Sequence, residues 1–292
     1  MVALAGLPNA GKSTLANALI GAKLSIVSHH PHTTRRRALG LCYSENTQLA
    51  LCDTPGLSAS LPNAMQRAMQ AQLSETLHGV DLLVWILRVD RPLAPPRGLA
   101  NLLQDSAPPL LLALNQIDRL AKGELLLPML AQVHAAWEAH DYLELMPVSA
   151  RRGTNLDRFK SVLARHAPHP CWLYDVDSIT EQPERFYIAE LVREKALWQT
   201  RDEVPHALGV SIERFEKTDL LVHIDALILV ERDGQKMIVL GQGGKAIKNI
   251  GVKARRDLEA YFGRKVMLKL FVQVRQNWRN DSARIAEQFH SE

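Results

Sequence analysis

A segment near the start of the chain has the composition and spacing of a phosphate-binding loop. Residues 6–13 read Gly-Leu-Pro-Asn-Ala-Gly-Lys-Ser, which fits G-x-x-x-x-G-K-[ST] between a strand-like run and a helix-like run. The glycines let successive backbone amides, with the amino end of the next helix, point at phosphate oxygens. Lys12 is expected to bridge the β- and γ-phosphates of a nucleotide, and the Ser13 hydroxyl to bind Mg²⁺. The residues expected to contact phosphate are Gly6, Asn9, Ala10, Gly11, Lys12, Ser13, Thr14 and, from a later loop, Gly56.

Three short polar motifs follow later apolar runs, each at the point where a predicted strand ends. Asp-Thr-Pro-Gly at 53–56 places a carboxylate where it can hold Mg²⁺ through water, and the Gly56 amide near a γ-phosphate. The second motif is Asn-Gln-Ile-Asp at 115–118, and the third is Ser-Ala-Arg at 149–151. Because the carboxyl ends of parallel strands meet at one edge of a sheet, these motifs and the phosphate loop are predicted to form one nucleotide site.

Asp118 indicates which base this site takes. Guanine offers two adjacent donors, its ring N1–H and its exocyclic amine, and one carboxylate can accept both, whereas adenine offers no such pair. Asp118 is predicted to be that carboxylate, so the selected nucleotide is GTP; a helix cap or an exposed loop acid is the alternative. We expect Asn115 to tie the loops together and the Ala150 amide to meet the guanine O6. The predicted guanine-binding residues are Asn115, Gln116, Asp118, Ser149 and Ala150.

A second constellation lies near the other end of the chain. Residues 239–250 contain an apolar run, a G-x-x-G loop at 241–244 and isoleucines three residues apart, which is the pattern of a KH module. Such glycines permit close approach of a sugar-phosphate backbone. The loop interior is Gln242-Gly243, where such loops commonly carry a cation, so we expect RNA binding with a shallow salt dependence. The predicted RNA contacts are Gly241, Gln242, Gly243, Gly244, Lys245, Ile247, Lys248, Ile250, Lys253, Arg255 and Arg256.

The charge of the chain is unevenly divided. The whole sequence carries +4, but residues 232–279 contain twelve Lys and Arg against three Asp and Glu, which is +9, so the remainder carries −5. A basic region of this kind is expected of a module that binds nucleic acid or another acidic surface; a solvated face without a partner is the alternative. Within it, the helical spacing of Ile247 and Ile250 indicates side chains that are partly core and partly groove floor, or core alone.

The elements that must position the nucleotide motifs are short apolar runs alternating with longer amphipathic stretches, up to about residue 170. The predicted buried strands are 2–5, 49–51, 82–87, 110–114 and 145–148. The predicted helices are 13–24, 64–77, 98–103, 125–139 and 155–165. This alternation predicts an α/β domain with a mostly parallel sheet, helices on both faces, and ligands at the carboxyl ends of the strands.

The composition changes between residues 167 and 183, where three prolines surround polar residues, and this stretch is predicted to be a linker. Beyond it, the spacing predicts a helix at 185–199, strands at 206–215, 220–231, 236–240 and 265–274, a turn at 233–234, and helices through about 262. This order fits the α+β arrangement of a type II KH domain. The predicted domains are therefore 1–169 and 185–292, joined by a linker at 170–184.

Composition excludes several classes of protein. The chain has 292 residues, 23% charged and 47% apolar, with 16 Gly and 15 Pro, which favours two globular domains over a disordered or collagenous chain. The cysteines at 42, 52 and 171 lack metal-ligand spacing and are expected to be buried thiols. No apolar stretch reaches the length of a membrane-spanning helix, and no signal peptide is expected. The short first run favours a natural start a few residues upstream.

The four nucleotide motifs resemble those of the translation-factor-related GTPases, and the whole chain resembles the bacterial Era GTPases. The resemblance is carried by Thr33-Thr34-Arg35 in the first switch, Asp53-Thr54-Pro55-Gly56-Leu57 in the second, and the stretches 228–235 and 277–279. It implies a Mg²⁺-dependent GTPase domain joined to a type II KH domain, which binds the 3′ end of small-subunit ribosomal RNA during assembly of the small ribosomal subunit. It also implies a cytoplasmic monomer that binds GTP and GDP and can associate peripherally with the inner membrane.

Two residues depart from the family pattern. Gln116 stands where the family usually has a Lys that packs along guanine and bonds near the phosphate loop, so weaker nucleotide binding with unchanged base choice is expected. Leu57 stands where Ras-like GTPases place a water-orienting Gln, so slow intrinsic hydrolysis is expected. Related GTPases with Asn in this loop hold K⁺ beside the phosphates. Asn9 and the backbone around Thr33 are therefore predicted to hold K⁺, with a plain loop hydrogen bond as the alternative for Asn9.

The first switch carries further polar residues. By the same resemblance, Thr34 is predicted to join Ser13 and Asp53 at Mg²⁺. His29, His30 and His32 are expected to be surface loop histidines and not metal ligands, because no second ligand cluster accompanies them. Residues 35–37, all arginines, are predicted to form a solvated face that can touch RNA or the second domain when GTP orders the loop.

The combined prediction is a ribosome-assembly GTPase whose nucleotide state switches its hold on RNA. A GTPase partner of an RNA-modifying enzyme is disfavoured by the KH pattern and by the lack of a second catalytic constellation in the sequence. A nucleotide-binding interaction protein with negligible turnover, whose basic domain docks on anionic membrane or protein partners, is the alternative that Leu57 and Gln116 leave open.

Overall fold

The computed structural model describes residues 1–44, 46–58, 60–97, 99, 108–168, 173–175, 178–180, 182–200 and 204–289. The chain divides into two compact units, which are described separately. The first comprises Met1–Val27, Pro31–Leu61 and Gln66–Glu181, and the second comprises Ser28–His30, Pro62–Met65 and Gln182–Glu292. All four nucleotide motifs belong to the first unit, and the G-x-x-G loop belongs to the second.

The first unit is built on a six-stranded sheet. Its strands are β1 (Val2–Gly6), β2 (Ala38–Ser44), β3 (Thr47–Asp53), β4 (Leu82–Arg88), β5 (Leu110–Asn115) and β6 (Leu145–Pro147), in the spatial order β2-β3-β1-β4-β5-β6. β1 pairs in parallel with β3 and β4, and of the described pairs in this sheet only β2–β3 is antiparallel. The strands expected from the apolar runs are all present, which places the predicted motifs at one edge of the sheet.

The helices of the first unit cover both faces of this sheet. They are α1 (Lys12–Ile20), α2 (Ala64–His78), α3 (Leu126–Trp137) and α4 (Leu156–Arg165). One buried cluster joins α1 and α4 to the sheet, and a second joins α2 and α3 to the opposite face. α1 is shorter than the predicted 13–24, because Gly21 adopts a left-handed conformation (φ 79°) and ends the helix. The helix predicted at 98–103 falls, apart from position 99, outside the described residues.

Part of the predicted linker pairs with β2. The backbone amide of Leu41 donates to the Ile179 carbonyl at 2.9 Å, and Gly40 and Thr180 form an antiparallel bridge. The Gln48 side chain accepts hydrogen bonds from the amides of Leu173 and Tyr174 and donates to the Tyr174 carbonyl at 2.9 Å. The described residues between 173 and 180 therefore extend the edge of the first unit.

The second unit contains a three-stranded sheet and its helices. Its elements are α5 (Glu184–Gln199), α6 (Val204–Ala207), β7 (Gly209–Lys217), β8 (Leu221–Val230), α7 (Asp233–Leu240), α8 (Lys245–Phe262), β9 (Lys265–Val274) and α9 (Ser282–Phe289). β8 pairs antiparallel with β7 and in parallel with β9. The strand expected from 206 begins only at Gly209, after the short helix α6, and α9 was not predicted.

The predicted turn at 233–234 and short strand at 236–240 are wrong, since both lie in helix α7. The Gln235 side chain accepts hydrogen bonds from the amides of Glu231 at 2.9 Å and Arg232 at 3.2 Å, which caps the start of the helix. Val239 is buried while Met237 and Ile238 are exposed, so an apolar run that resembles a strand is only partly core. The capping hydrogen bonds of Gln235 therefore favour a helix in this segment, which the hydrophobicity of the run alone does not indicate.

Two structural expectations concern cysteine and membrane helices. Cys42 and Cys52 are buried free thiols, and burial raises the pKa of each to about 11; Cys171 lies outside the described residues. Among the residues that the structure describes, each helix is too short or too polar to cross a lipid bilayer.

Candidate nucleotide site and RNA-binding loop

The phosphate loop connects the carboxyl end of β1 to the amino end of α1. Gly6 and Gly11 have positive φ, and a Cβ on Gly6 would lie 2.6 Å from the Ile86 carbonyl oxygen. A Cβ on Gly11 would lie 2.4 Å from the Asn115 side-chain nitrogen, so both positions require glycine. The Lys12 ammonium folds over this loop and donates to the carbonyls of Gly6 at 3.3 Å and Leu7 at 3.1 Å.

Lys12 and Asp53 are buried groups of opposite charge beneath the loop. Burial lowers the pKa of Lys12 to about 8, although Asp53 acts in the opposite direction. Burial raises the pKa of Asp53, while a hydrogen bond from Ser13 and the charge of Lys12 act to lower it. Both groups carry their charges at a desolvation cost that an anionic phosphate and a divalent cation would offset.

The residues predicted to hold Mg²⁺ converge. The hydroxyl oxygens of Ser13 and Thr34 are 2.8 Å apart, and Thr34 Oγ1 donates to Asp53 Oδ2 at 3.4 Å. Asp53 Oδ1 is buried and has no hydrogen-bond partner within the described part of the chain. Two hydroxyls and an unsatisfied carboxylate oxygen are hard ligands of the kind that Mg²⁺ takes, so these residues fit the ion and its water.

The guanine-site residues form one hydrogen-bonded group. Asn115 Nδ2 donates to the Ala10 carbonyl at 3.1 Å, which ties this loop to the phosphate loop. Asn115 Oδ1 accepts from the amides of Gln116 at 2.8 Å and Ala150 at 3.2 Å, so in this structure the Ala150 amide is directed at Asn115. Asp118 Oδ1 accepts from the Ser149 hydroxyl at 2.6 Å, which fixes the carboxylate that is predicted to read guanine.

The second-switch motif packs against the phosphate loop. Thr54 donates its hydroxyl to the Leu4 carbonyl at 2.8 Å, and the Leu57 amide donates to the Gly6 carbonyl at 3.1 Å. Pro55 lies between them, and a Cβ added to Gly56 would lie 3.1 Å from Lys12 Nζ. The Leu57 side chain is buried, so the residue that replaces a water-orienting Gln is part of the core.

The first switch differs from expectation in two respects. Arg35 is 9% exposed, so the predicted solvated face is wrong at this position, whereas Arg37 is exposed. His29 is exposed, as predicted, and its ring packs edge-on against Trp198 at 4.6 Å. His30 is half-buried and its Nε2 lies 3.1 Å from the Leu197 carbonyl; both contacts lie within the second unit. No metal-binding group of three or more His, Cys, Asp or Glu side chains occurs among the described residues.

The G-x-x-G loop has the backbone that its glycines predict. Gly241, Gly243 and Gly244 all have positive φ, and a Cβ on Gly241 would lie 2.6 Å from the Ala246 Cβ. The cations predicted to contact RNA are all exposed: Lys245, Lys248, Lys253, Arg255 and Arg256. Ile250 is buried and Ile247 is half-buried, so the first is core and the second borders the loop. Gln242 is exposed at the tip.

One residue at the nucleotide site was missed. Arg88 ends β4 and its Nη1 donates to the Asn9 carbonyl at 3.3 Å. A cation directly after the apolar run 82–87 could have indicated it, because this strand was predicted to end at the ligand edge of the sheet.

Comparisons with known proteins agree with these two sites. A family described as 50S ribosome-binding GTPase matches residues 1–116, and a family described as KH domain matches residues 203–279. GTPase Era of Xanthomonas campestris pv. campestris (strain B100) is 43% identical over 282 residues, covering 97% of this chain and 94% of the relative. GTPase Era of Stenotrophomonas maltophilia (strain K279a) is 42% identical with the same coverage.

Solved structures give the same result at the level of the fold. A variant of Aquifex aeolicus Era bound to GDP·AlF4⁻ has a TM-score of 0.92 at 33% identity, covering 99% of this chain and 97% of that one. Era in complex with MgGDPNP and nucleotides 1506–1542 of 16S ribosomal RNA has a TM-score of 0.93 at 33% identity, with the same coverage. The chain belongs to the Era family of GTPases, in which a P-loop GTPase domain is followed by a KH domain.

Proposed function

We propose that this GTPase binds the 3′ end of small-subunit ribosomal RNA through its KH domain during assembly of the small ribosomal subunit, and that its nucleotide state switches this hold. The observation that carries the proposal is the loop 241–244, whose positive-φ glycines lie beside the exposed cations of α8. A related structure, at 33% identity, holds nucleotides of 16S ribosomal RNA. An open glycine loop flanked by cations suits a single RNA strand, because the sugar-phosphate backbone of the RNA can approach the backbone of the loop closely.

Hydrolysis of GTP follows from the residues of the phosphate loop. Lys12 and the loop amides would bind the β- and γ-phosphates and stabilise the charge that develops between them. Ser13 and Thr34 would hold Mg²⁺ directly and Asp53 through water, and the ion supplies further charge neutralisation. Leu57 has no group that can orient the attacking water, so the intrinsic rate is expected to be slow.

We also propose K⁺ as a second ion at the nucleotide site, beside Mg²⁺. Asn9 has a left-handed backbone (φ 62°) in the phosphate loop, and its side chain with the backbone around Thr33 would hold the ion beside the β- and γ-phosphates. A monovalent cation there would supply charge that Leu57 cannot. The chain is also proposed to be a cytoplasmic monomer that associates peripherally with the inner membrane through its basic region.

The test is a GTPase assay on the full chain in K⁺ and in Na⁺, each with and without a single-stranded RNA of the small-subunit 3′ end. We expect K⁺ and the RNA each to raise turnover, and a scrambled RNA of equal length to have less effect. Equal rates in K⁺ and Na⁺ would contradict the K⁺ site, and rates that neither K⁺ nor the RNA raises would contradict the activated switch.

A binding assay separates the proposal from the alternative of an interaction protein. The full chain is titrated with labelled 3′-end RNA and with vesicles containing anionic lipid, in GDP and in a non-hydrolysable GTP analogue. Tighter binding to the RNA that changes with the nucleotide supports the proposal. Binding to vesicles alone would establish the alternative.

A further inference from the structure

Five residues form a closed ring of hydrogen bonds at the mouth of the nucleotide site. The Asn9 carbonyl accepts from Arg88 Nη1 at 3.3 Å and from Gln116 Nε2 at 3.4 Å. Arg88 Nη2 donates to Asp90 Oδ2 at 2.8 Å, and Arg119 Nη1 donates to the same oxygen at 2.8 Å. Arg119 Nη1 also donates to Gln116 Oε1 at 3.0 Å, which closes the ring.

The ring includes the position at which this chain departs from its family. The usual lysine would bring a positive charge to the phosphate loop, whereas the Gln116 amide that contacts the Asn9 carbonyl is neutral. Arg88 brings a guanidinium to that same carbonyl oxygen. Arg88, at the end of β4, therefore supplies the phosphate loop with a charged hydrogen-bond donor in place of the usual lysine after β5.

Arg119 fixes which way the Gln116 amide faces. Because Arg119 can only donate, the atom of Gln116 that it contacts must be the carbonyl oxygen, and the amide nitrogen is then left to face Asn9. Asp90 holds both guanidinium groups, and hydrogen bonding and charge from Arg88, with charge from Arg119, lower the pKa of this carboxyl. The carboxylate stays ionised and links the two arginines.

We propose that Arg88 and Arg119, linked by Asp90, are positioning residues that take over the work of the lysine missing at position 116. They hold the phosphate loop at Asn9 against the guanine-binding loop and so slow the release of nucleotide. Asn9 has a left-handed backbone, which asparagine adopts readily, and the two bonds to its carbonyl help to hold it. The inference rests on the nucleotide-binding part of the proposed function and is independent of RNA.

The experiment measures release of a fluorescent N-methylanthraniloyl-GDP from the full chain by stopped flow. Arg88→Ala is expected to release it about fivefold faster, and Arg119→Ala about twofold to threefold faster, since these bonds are charged but partly exposed. Arg91→Ala, an exposed arginine three positions from Arg88, is the matched control with the same loss of charge and should release at the unaltered rate.

The same substitution made in the Gln116→Lys variant separates a positioning role of Arg119 from a general structural role. In Gln116→Lys, release is expected to be slower, and adding Arg119→Ala should have a smaller effect than in the unaltered chain, because no amide remains to be oriented and only the bond to Asp90 is lost. An equal effect of Arg119→Ala in both backgrounds, or unaltered release in Arg88→Ala, would overturn the proposal. Failure of the unaltered protein to bind the probe would instead contradict the proposed function. Thermal unfolding of each variant without nucleotide identifies effects that come from a loss of folding.

Discussion

The buried ammonium of Lys12 makes nucleotide binding depend on pH. Without ligand, its pKa is about 8 because of burial, so the group is partly neutral in mildly alkaline solution. Phosphate stabilises the charged form and raises the pKa again. Well below pH 8 the lysine is already protonated and binding needs no proton. Above pH 8 binding must take up a proton, so the affinity for nucleotide falls as pH rises.

We predict that GDP binding takes up more protons at pH 8.5 than at pH 7.0, because the Lys12 ammonium is largely protonated before binding only at the lower pH. The measurement is isothermal titration calorimetry in buffers that differ in ionisation enthalpy, at constant Mg²⁺. The pH 7.0 series is the internal control. Identical binding enthalpies across buffers at pH 8.5 would show that Lys12 keeps its proton when buried without nucleotide.

At the scale of elements, two glycines that flank α8 differ in how strictly the backbone requires them. Gly241 combines a φ of 69° with a ψ of 173°, a region that is essentially restricted to glycine, and an added Cβ would lie 2.6 Å from the Ala246 Cβ. Gly263, after the end of α8, has the milder left-handed conformation (φ 64°, ψ 18°), and an added Cβ would meet no atom within 4 Å. Gly241→Ala therefore adds both more backbone strain and a close contact.

We predict that Gly263→Ala costs about 1 kcal/mol of stability from its left-handed backbone, and that Gly241→Ala costs more, because its backbone region is less accessible to alanine and the new methyl group contacts Ala246. Gly241→Ala should also weaken binding of the 3′-end RNA at least several-fold, because the loop must move. Gly263→Ala should leave RNA binding unaltered. Urea unfolding and RNA titration measure the two effects; equal RNA affinities would show that the loop tolerates the shift.

The elements also show how far the sequence could predict this molecule. The parallel strands were predictable because they are continuous apolar runs, and the motifs at their ends were predictable because each has a fixed spacing. β2 was not, since Gly40 divides its apolar residues into short runs, and α7 was not, since a capping side chain outweighs its apolar run. Arg88, Asp90 and Arg119 of the hydrogen-bonded ring match no sequence motif, and they come together only in the folded domain.

At the scale of the whole molecule, the charge division bears on the strength of RNA binding. The +9 region contains the exposed cations of α8, whereas the loop tip presents Gln242 and Gly243, which carry no charge. Phosphate neutralisation must therefore come from the helix. Fewer cations at the tip means fewer counterions released when RNA binds.

We predict that Lys248→Ala lowers the slope of log affinity against log salt concentration by about 0.7, the value for one phosphate contact on a single strand. Arg158→Ala, an exposed cation of α4 in the first unit, is the matched control and should leave the slope unaltered. Affinities at four or more salt concentrations give the slope. An unaltered slope in Lys248→Ala would remove this residue from the RNA contacts.

The central position of β1 has a consequence for biosynthesis. β1 is translated before its partners β3 and β4, which begin only at Thr47 and Leu82, and Ile86 must be present to pack against Gly6. Such distant pairings form late in folding. A nascent chain therefore displays its phosphate loop long before the loop is supported, and it gains competence for GTP only after residues 115–150 have left the ribosome. The RNA-binding module is translated after that point, so each new molecule is able to capture nucleotide before it is able to capture RNA.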